Sequence, residues 1–193
     1  MEDDFEKTGF MSFKGQFIIA MPELADPNFS RTVTLICEHT ADGALGLIIN
    51  RPHPVVVIEQ IFKEFNMAVN EKTGKTPIYM GGPVQTEEIY ILHGPPFGWR
   101  GTLPITPTLA MTNTVDLLEA LAVGTGPHKA RMMIGCAGWG PGQLERELTE
   151  NSWLTLEVSD KIIFNVAAED CWDEALRSMG IDPLLLNSGS GNA

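Results

Sequence analysis

The densest run of residues able to do chemistry is Gly135-Cys136-Ala137-Gly138-Trp139-Gly140-Pro141-Gly142-Gln143-Leu144-Glu145. A strand, a glycine-rich turn and a helix start, in that order, can aim backbone N–H groups at an anion or a carbonyl. No Lys-Ser or Lys-Thr follows the glycines and no G-x-G-x-x-G occurs, so the run is neither a nucleotide P-loop nor a dinucleotide fingerprint. Trp139 could cover a ligand held at this turn. The plainer alternative is that the glycines let a helix pack closely on a sheet while Trp139 fills core space. Cys136 does not make a nucleophile elbow, because Ile134 stands where that turn needs a small residue. A buried cysteine at a strand's end is ordinarily inert.

Two histidines each end an expected strand, in Cys37-Glu38-His39 and in Ile91-Leu92-His93-Gly94. If those strands are neighbours, His39 and His93 share one edge of a sheet and could do acid–base work near neutral pH. The plainer account has each imidazole hydrogen-bonded to a loop. The four histidines and three cysteines include no H-x-x-x-H and no C-x-x-C, so no metal spacing is present and no cofactor is called for. Arg31, Asn50 and Arg51 flank the far end of an expected hairpin. Antiparallel pairing there brings the two arginines together, either to grip a carboxylate or phosphate or to pair with Asp26 and nearby acids.

The elements that must position these groups are legible in part. Gln16–Met21 is a β-prone run ended by Pro22, and Asp26-Pro27-Asn28 is a turn signal. Thr32–Glu38 and Ala44–Asn50 are apolar, β-branched runs joined through Asp42-Gly43, which predicts a hairpin inside a sheet covered on both faces. Ile58, Ile61, Phe62 and Phe65 follow helical spacing, and Asn70–Thr76 is a polar loop. Ile78–Met80 and Ile89–His93 are strands joined through Gly81, Gly82, Pro83, Val84 and Gln85, followed by a proline-rich loop over Gly94–Pro107. Asn113 or Thr114 can cap a helix that Gly124 closes. Beyond it come a buried strand Ala130–Ala137, the turn Gly138–Gly142 and a helix Gln143–Asn151. Trp153–Val158 and Ile162–Val166 then read as a closing pair of strands, and Asp170–Met179 as a last amphipathic helix. Hairpins outnumber strand–helix–strand units, which favours α+β with a mixed, mostly antiparallel sheet over a doubly wound one.

Composition bounds the function. A chain of 193 residues with 44% hydrophobic content can bury roughly 70% of its unfolded surface and needs no staples. Net charge is −12, of which Glu2, Asp3, Asp4 and Glu6 against Lys7 supply −3. That field repels phosphate backbones, so direct DNA binding is disfavoured. No basic n-region precedes an apolar stretch, and no apolar run is long enough to cross a bilayer, so no membrane role is expected. Three widely spaced cysteines among apolar residues read as reduced thiols of a cytoplasmic protein. Residues 1–14 are read as a disordered acidic tail, 15–187 as a single domain, and 188–193 as a flexible tail.

Several blocks together resemble the bacterial family named after AlgH and YqgE. They are Gly15–Pro22, Asp26–Val33, Ile36–His39, Gly43–Pro52, Gly81–Val84, Leu92-His93 and Gly138–Glu145 running on to Asn151-Ser152-Trp153-Leu154. The resemblance covers nearly the whole chain from Gly15 onward. It implies an α/β arrangement whose mixed sheet is bifurcated and partly barrel-like, forming a pseudo-barrel with flanking helices. Its members are mostly uncharacterised cytosolic proteins, and one founding member is linked to transcriptional control of alginate production. No catalytic residues are accepted for the family. Cys136 stands where many members carry Tyr, and Asn192 where many carry His.

The reading that results is a non-enzymatic regulatory or interaction protein that responds to a small anionic or carbonyl ligand or to a protein partner. Its ligand-binding surface would draw on Arg31, His39, Asn50, Arg51, Gly81, Gly82, His93, Gly138, Trp139, Gly140 and Gln143. The alternative is a hydrolase or transferase using His39 or His93 as base and the Gly138–Gln143 turn as an oxyanion-type donor. Nucleic-acid binding ranks third.

Overall fold

The computed structural model describes residues 10–68 and 76–187. Most of the expected acidic tail, nearly all of the loop Asn70–Thr76 and the expected C-terminal tail lie outside those residues. In chain order the first elements are β1 (Gln16–Ala20), β2 (Val33–Thr40), β3 (Gly43–Ile48), β4 (Pro52–Val57), α1 (Ile58–Glu64) and β5 (Pro77–Met80). There follow β6 (Val84–His93), β7 (Leu103–Thr106), β8 (Leu109–Thr112), α2 (Val115–Val123), β9 (Ala130–Trp139) and α3 (Gln143–Thr149). The chain closes with β10 (Trp153–Glu157), α4 (Asp160–Phe164), a 3-10 turn at Ala168–Asp170, α5 (Cys171–Ser178) and α6 (Pro183–Asn187).

The fold is mixed α+β around one large sheet, with strands in the order β10-β1-β2-β3-β9-β6-β8-β7 and β5 and β4 branching from β9. Ten strands and six α-helices lie among the described residues. The Asp42-Gly43 signal produces the expected hairpin: Thr40 pairs with Gly43 across a two-residue loop. Val33–Cys37 is buried without a break, which fits a strand covered on both faces.

β9 is the shared strand of the bifurcation. Its C-terminal half pairs antiparallel with β3 (Gly46 opposite Ala137), and its middle pairs parallel with β5 (Tyr79 opposite Met133). β6 runs antiparallel along the other edge. Gly135 sits at the switch with φ 73, in the left-handed region that costs glycine least. The sheet bends toward closure without reaching it. A Cβ on Gly15 would touch Thr106 and the Ile105 carbonyl, yet no ladder joins β7 to β1.

Three apolar clusters form the core. Phe17, Ile19, Leu35 and Leu47 pack against Ile163, Trp172 and Leu176 of α4 and α5. Alternate residues of the same strands, Ile18 and Ile36, join Trp139, Leu144 and Trp153 on the other face. Phe62 of α1 and Leu117 of α2 cover Ile78, Ile91 and Met132. Arg131 is buried among these layers, stacked 4.2 Å over the Tyr79 ring and donating to the Ile49 carbonyl.

Several sequence expectations are corrected. Ile162–Val166 is not a strand, because Asp160–Phe164 is helical and buries Ile162 and Ile163 against α5. A five-residue apolar run cannot be told from strand by periodicity. The proline-rich loop contains β7, and Pro52–Val57 forms β4. Prolines deny a central strand but are tolerated at sheet edges, where both of these lie. Gly138 and Trp139 belong to β9, so the glycine turn is only Gly140–Gly142.

Candidate functional site

The glycine-rich turn is internally satisfied. Gln143 Oε1 accepts the Gly140 N–H at 3.0 Å, and the Gln143 N–H donates to the Gly140 carbonyl at 3.0 Å. Arg146 N–H donates to the Gly142 carbonyl. Trp139 is 6% exposed and meets Trp153 edge-on with ring centroids 6.1 Å apart, Phe29 completing the group. Both indole N–H groups donate to one oxygen, Glu147 Oε2, each at 2.9 Å, while Gln143 Nε2 donates to Glu147 Oε1 at 2.8 Å. Trp139 and Gln143 therefore build the joint between β9, α3 and β10.

His39 belongs to that same end of the sheet, and His93 does not. His39 lies opposite Ala44, and Ala44 opposite Trp139, the last residue of β9; His93 lies opposite Ala130, the first. A ten-residue strand separates the two by roughly 30 Å at ~3.3 Å per residue. They do not share an edge, because β3 and β9 intervene between β2 and β6.

Each ring is also engaged. His39 Nδ1 accepts the Phe13 N–H at 3.0 Å, so Nε2 carries the proton toward Glu145 Oε1, 3.1 Å away. Phe10 and Phe13 pack on its faces. His93 is fully buried. Its Nδ1–H donates to the Gly94 carbonyl at 2.8 Å and its Nε2 takes the Thr112 hydroxyl at 2.9 Å. Burial pulls its pKa below the ordinary 6.5, against the upward pull of that carbonyl.

Arg31, Asn50 and Arg51 do gather at the far end of the β2–β3 hairpin, with separate duties. Arg31 reaches Asp173 at 2.7 Å and lies 4.1 Å over the Trp172 ring. Asn50 bridges the strands, accepting from Val33 N–H at 2.8 Å and donating to the Arg31 carbonyl at 3.0 Å. Arg51 Nη2 donates to the Pro27 and Ser30 carbonyls at 2.9 and 3.2 Å.

The remaining pair, Gly81 and Gly82, leads to a feature the motifs did not signal. A Cβ on Gly82 would collide with the carbonyl of Cys136, so only glycine lets this segment cross β9 there. Beyond the crossing, β6 leaves its ladder. Val84 pairs with Cys136 and the next pair is Ile89 with Ile134, so Gln85–Glu88 stand against Gly135 alone. The excursion is exposed throughout. Gln85 turns it at φ 50, and its side chain reaches inward to take the Tyr90 hydroxyl and the Cys136 thiol. Burial raises the Cys136 and Tyr90 pKa values, so both groups stay protonated as donors.

Around this excursion lies a continuous groove of three hollows, of about 570, 310 and 380 Å³, all bordered by Glu87. Phe65 after α1 and Val115 at the start of α2 are 46% and 49% exposed and stand on its walls. Ile89 and Leu118 make its floor. Glu64, Glu87 and Glu88 line it, and among the described residues no Lys or Arg does. A glycine inside a strand pattern, as at Gly135, signals a bulge or close approach and was the one clue available. Glu87 and Glu88 read as ordinary solvated charges.

Among the described residues no group of three or more His, Cys, Asp or Glu could hold a metal ion, and no helix is long and apolar enough to cross a membrane. The model of the AlgH-like family matches residues 17–184. The chain belongs to that family. A UPF0301 protein from Desulforapulum autotrophicum is 45% identical over 93% of this chain and 95% of its own. One from Paraburkholderia phytofirmans is 42% identical over 97% and 99%. The solution structure of the AlgH protein from Pseudomonas aeruginosa is similar over the full length of both chains, with a TM-score of 0.78 and 38% identity. A crystal structure from Corynebacterium diphtheriae shares the fold at 20% identity and a TM-score of 0.71, covering 95% and 94%. The β6 excursion and its groove fall inside the span matched to the AlgH-like family.

Proposed function

We propose that the protein is a non-enzymatic, cytoplasmic interaction protein whose recognition surface is the groove beside Gln85–Glu88. One observation carries the reading: a continuous concavity is acidic at its rim, apolar on its floor, and built by a strand that leaves its ladder. A groove divided among three shallow hollows suits a chain segment better than one enclosed small molecule. Its occupant is a basic, amphipathic segment of a partner protein. Lys or Arg would face Glu64, Glu87 and Glu88, while apolar side chains seat against Phe65, Val115 and Leu118.

The net charge of −12 steers such a partner in and makes association weaken with salt. Three free, buried cysteines support the cytoplasmic address. The enzyme alternative loses support because His39 and His93 lie at opposite ends of β9 and each is hydrogen-bonded within the fold. A regulatory link like that of the founding relative would then run through a protein partner, since the charge opposes direct DNA contact.

The test is a photo-cross-linking residue at Val115 in bacterial cells, with the cross-linked segment sequenced. A Lys- or Arg-rich amphipathic segment, lost when Glu87 and Glu88 are reversed to Lys, is the expected product. Cross-links to acidic segments, or none above those from a surface site far from the groove, would overturn the reading.

A further inference from the structure

Thr86 also borders a second hollow, of about 230 Å³, that shares no other residue with the groove. Its other polar walls are Arg51 and Asn28, and its apolar walls are Ile48, Met80 and Pro83. Arg51 is fixed there from one side only. Its Nη2 is held by the Pro27 and Ser30 carbonyls, and among the described residues no carboxylate pairs with it. A guanidinium carries five N–H donors, so a prepositioned cation with donors to spare sits at one end of a mostly apolar hollow. Arg31 next to it is spent on Asp173.

We propose that this cavity binds a short-chain carboxylate. The guanidinium supplies charge-assisted hydrogen bonds to the carboxylate. Thr86 and Asn28 supply neutral polar groups, and Ile48, Met80 and Pro83 take the hydrocarbon. The size fits: the volume lies below the roughly 300 Å³ at which drug-sized clefts begin. The charge state fits as well. Asp26 accepts the Asn28 N–H at 2.8 Å beside the cavity, and the whole chain is acidic, so a monoanion is tolerated where a phosphate dianion is repelled.

The site shares only Thr86 with the groove and uses none of its acidic residues, so each can fail while the other holds. The experiment is a titration of the full chain with butyrate, acetate, butyramide and inorganic phosphate, followed by amide ¹H–¹⁵N shifts. Butyrate is expected to give saturable shifts at Asn28, Gly82 and Thr86. Acetate should bind about fifteenfold more weakly, since it lacks two methylenes and each buried methylene contributes about fourfold. Butyramide and phosphate should leave those amides still. Arg51→Gln should abolish the response. Because Arg51 also holds two loop carbonyls, Thr86→Glu is the second variant, an exposed change that sets a carboxylate at the mouth and should weaken butyrate at least tenfold with the remaining spectrum unchanged. Butyramide matching butyrate, phosphate competing with it, or Thr86→Glu binding as tightly as the parent would each overturn the proposal.

Discussion

The Cys136 thiol donates to Gln85 Oε1 at 3.4 Å, and the same oxygen accepts the Tyr90 hydroxyl. This places one side-chain amide under the turn of the β6 excursion, where Gln85 itself holds φ 50. A non-glycine residue in that region costs on the order of 1–3 kcal/mol, and the two inward hydrogen bonds offset it. The groove wall is therefore a built feature anchored in the core.

Gln85→Leu removes the acceptor and leaves the buried Tyr90 hydroxyl without its partner. It should cost about 1–3 kcal/mol in denaturant unfolding. Adding Tyr90→Phe should recover part of that loss, because the orphaned donor is then gone. Equal stability of Gln85→Leu and the parent would show that the anchor does not matter.

Cys37, Cys136 and Cys171 are all buried, and burial is the leading cause that raises each thiol's pKa. A thiol-reactive chromophore at pH 8 should therefore label none of the three quickly in the folded protein and all three in guanidinium. Fast labelling of Cys136 under native conditions would revive a reactive role for it.

His93 sets a pH dependence whose sign is fixed. Burial lowers its folded pKa below the ordinary 6.5. Below that pH the unfolded chain binds a proton that the folded chain refuses, so stability should fall as pH drops from neutral through 6.5. Above it this contribution is flat. His93→Gln should remove this part of the slope between pH 7.5 and 5.5, read as the difference from the parent in urea unfolding. A slope unchanged by the substitution would contradict the neutral, buried imidazole.

What the sequence showed followed from local chemistry. Asp42-Gly43 between β-branched runs specified the β2–β3 hairpin, and the spacing of Ile58, Ile61 and Phe62 specified α1. What it hid depended on partners distant in the chain. β4 and β7 contain prolines that only their edge positions make acceptable. Ile162 and Ile163 are buried whether the segment is strand or helix, so apolar content could not decide. The distance between His39 and His93 was set by β3 and β9 lying between their strands. Among the eleven surface residues singled out, Trp139 and Gln143 knit a joint, and Arg51 and Gly82 line a cavity. The groove is not legible in the sequence, because Glu87 and Glu88 look like any solvated acids until Gly135 lets β6 fold over it.

The most direct measurement is a selection of random displayed peptides against the full chain, counter-selected against the Glu87→Lys, Glu88→Lys double variant. The enriched sequences are expected to combine Lys or Arg with apolar residues, bind less tightly as salt rises, and shift amides of Phe65, Ile89 and Val115. Enrichment of acidic or charge-free sequences, or of basic ones that bind the double variant equally well, would contradict it.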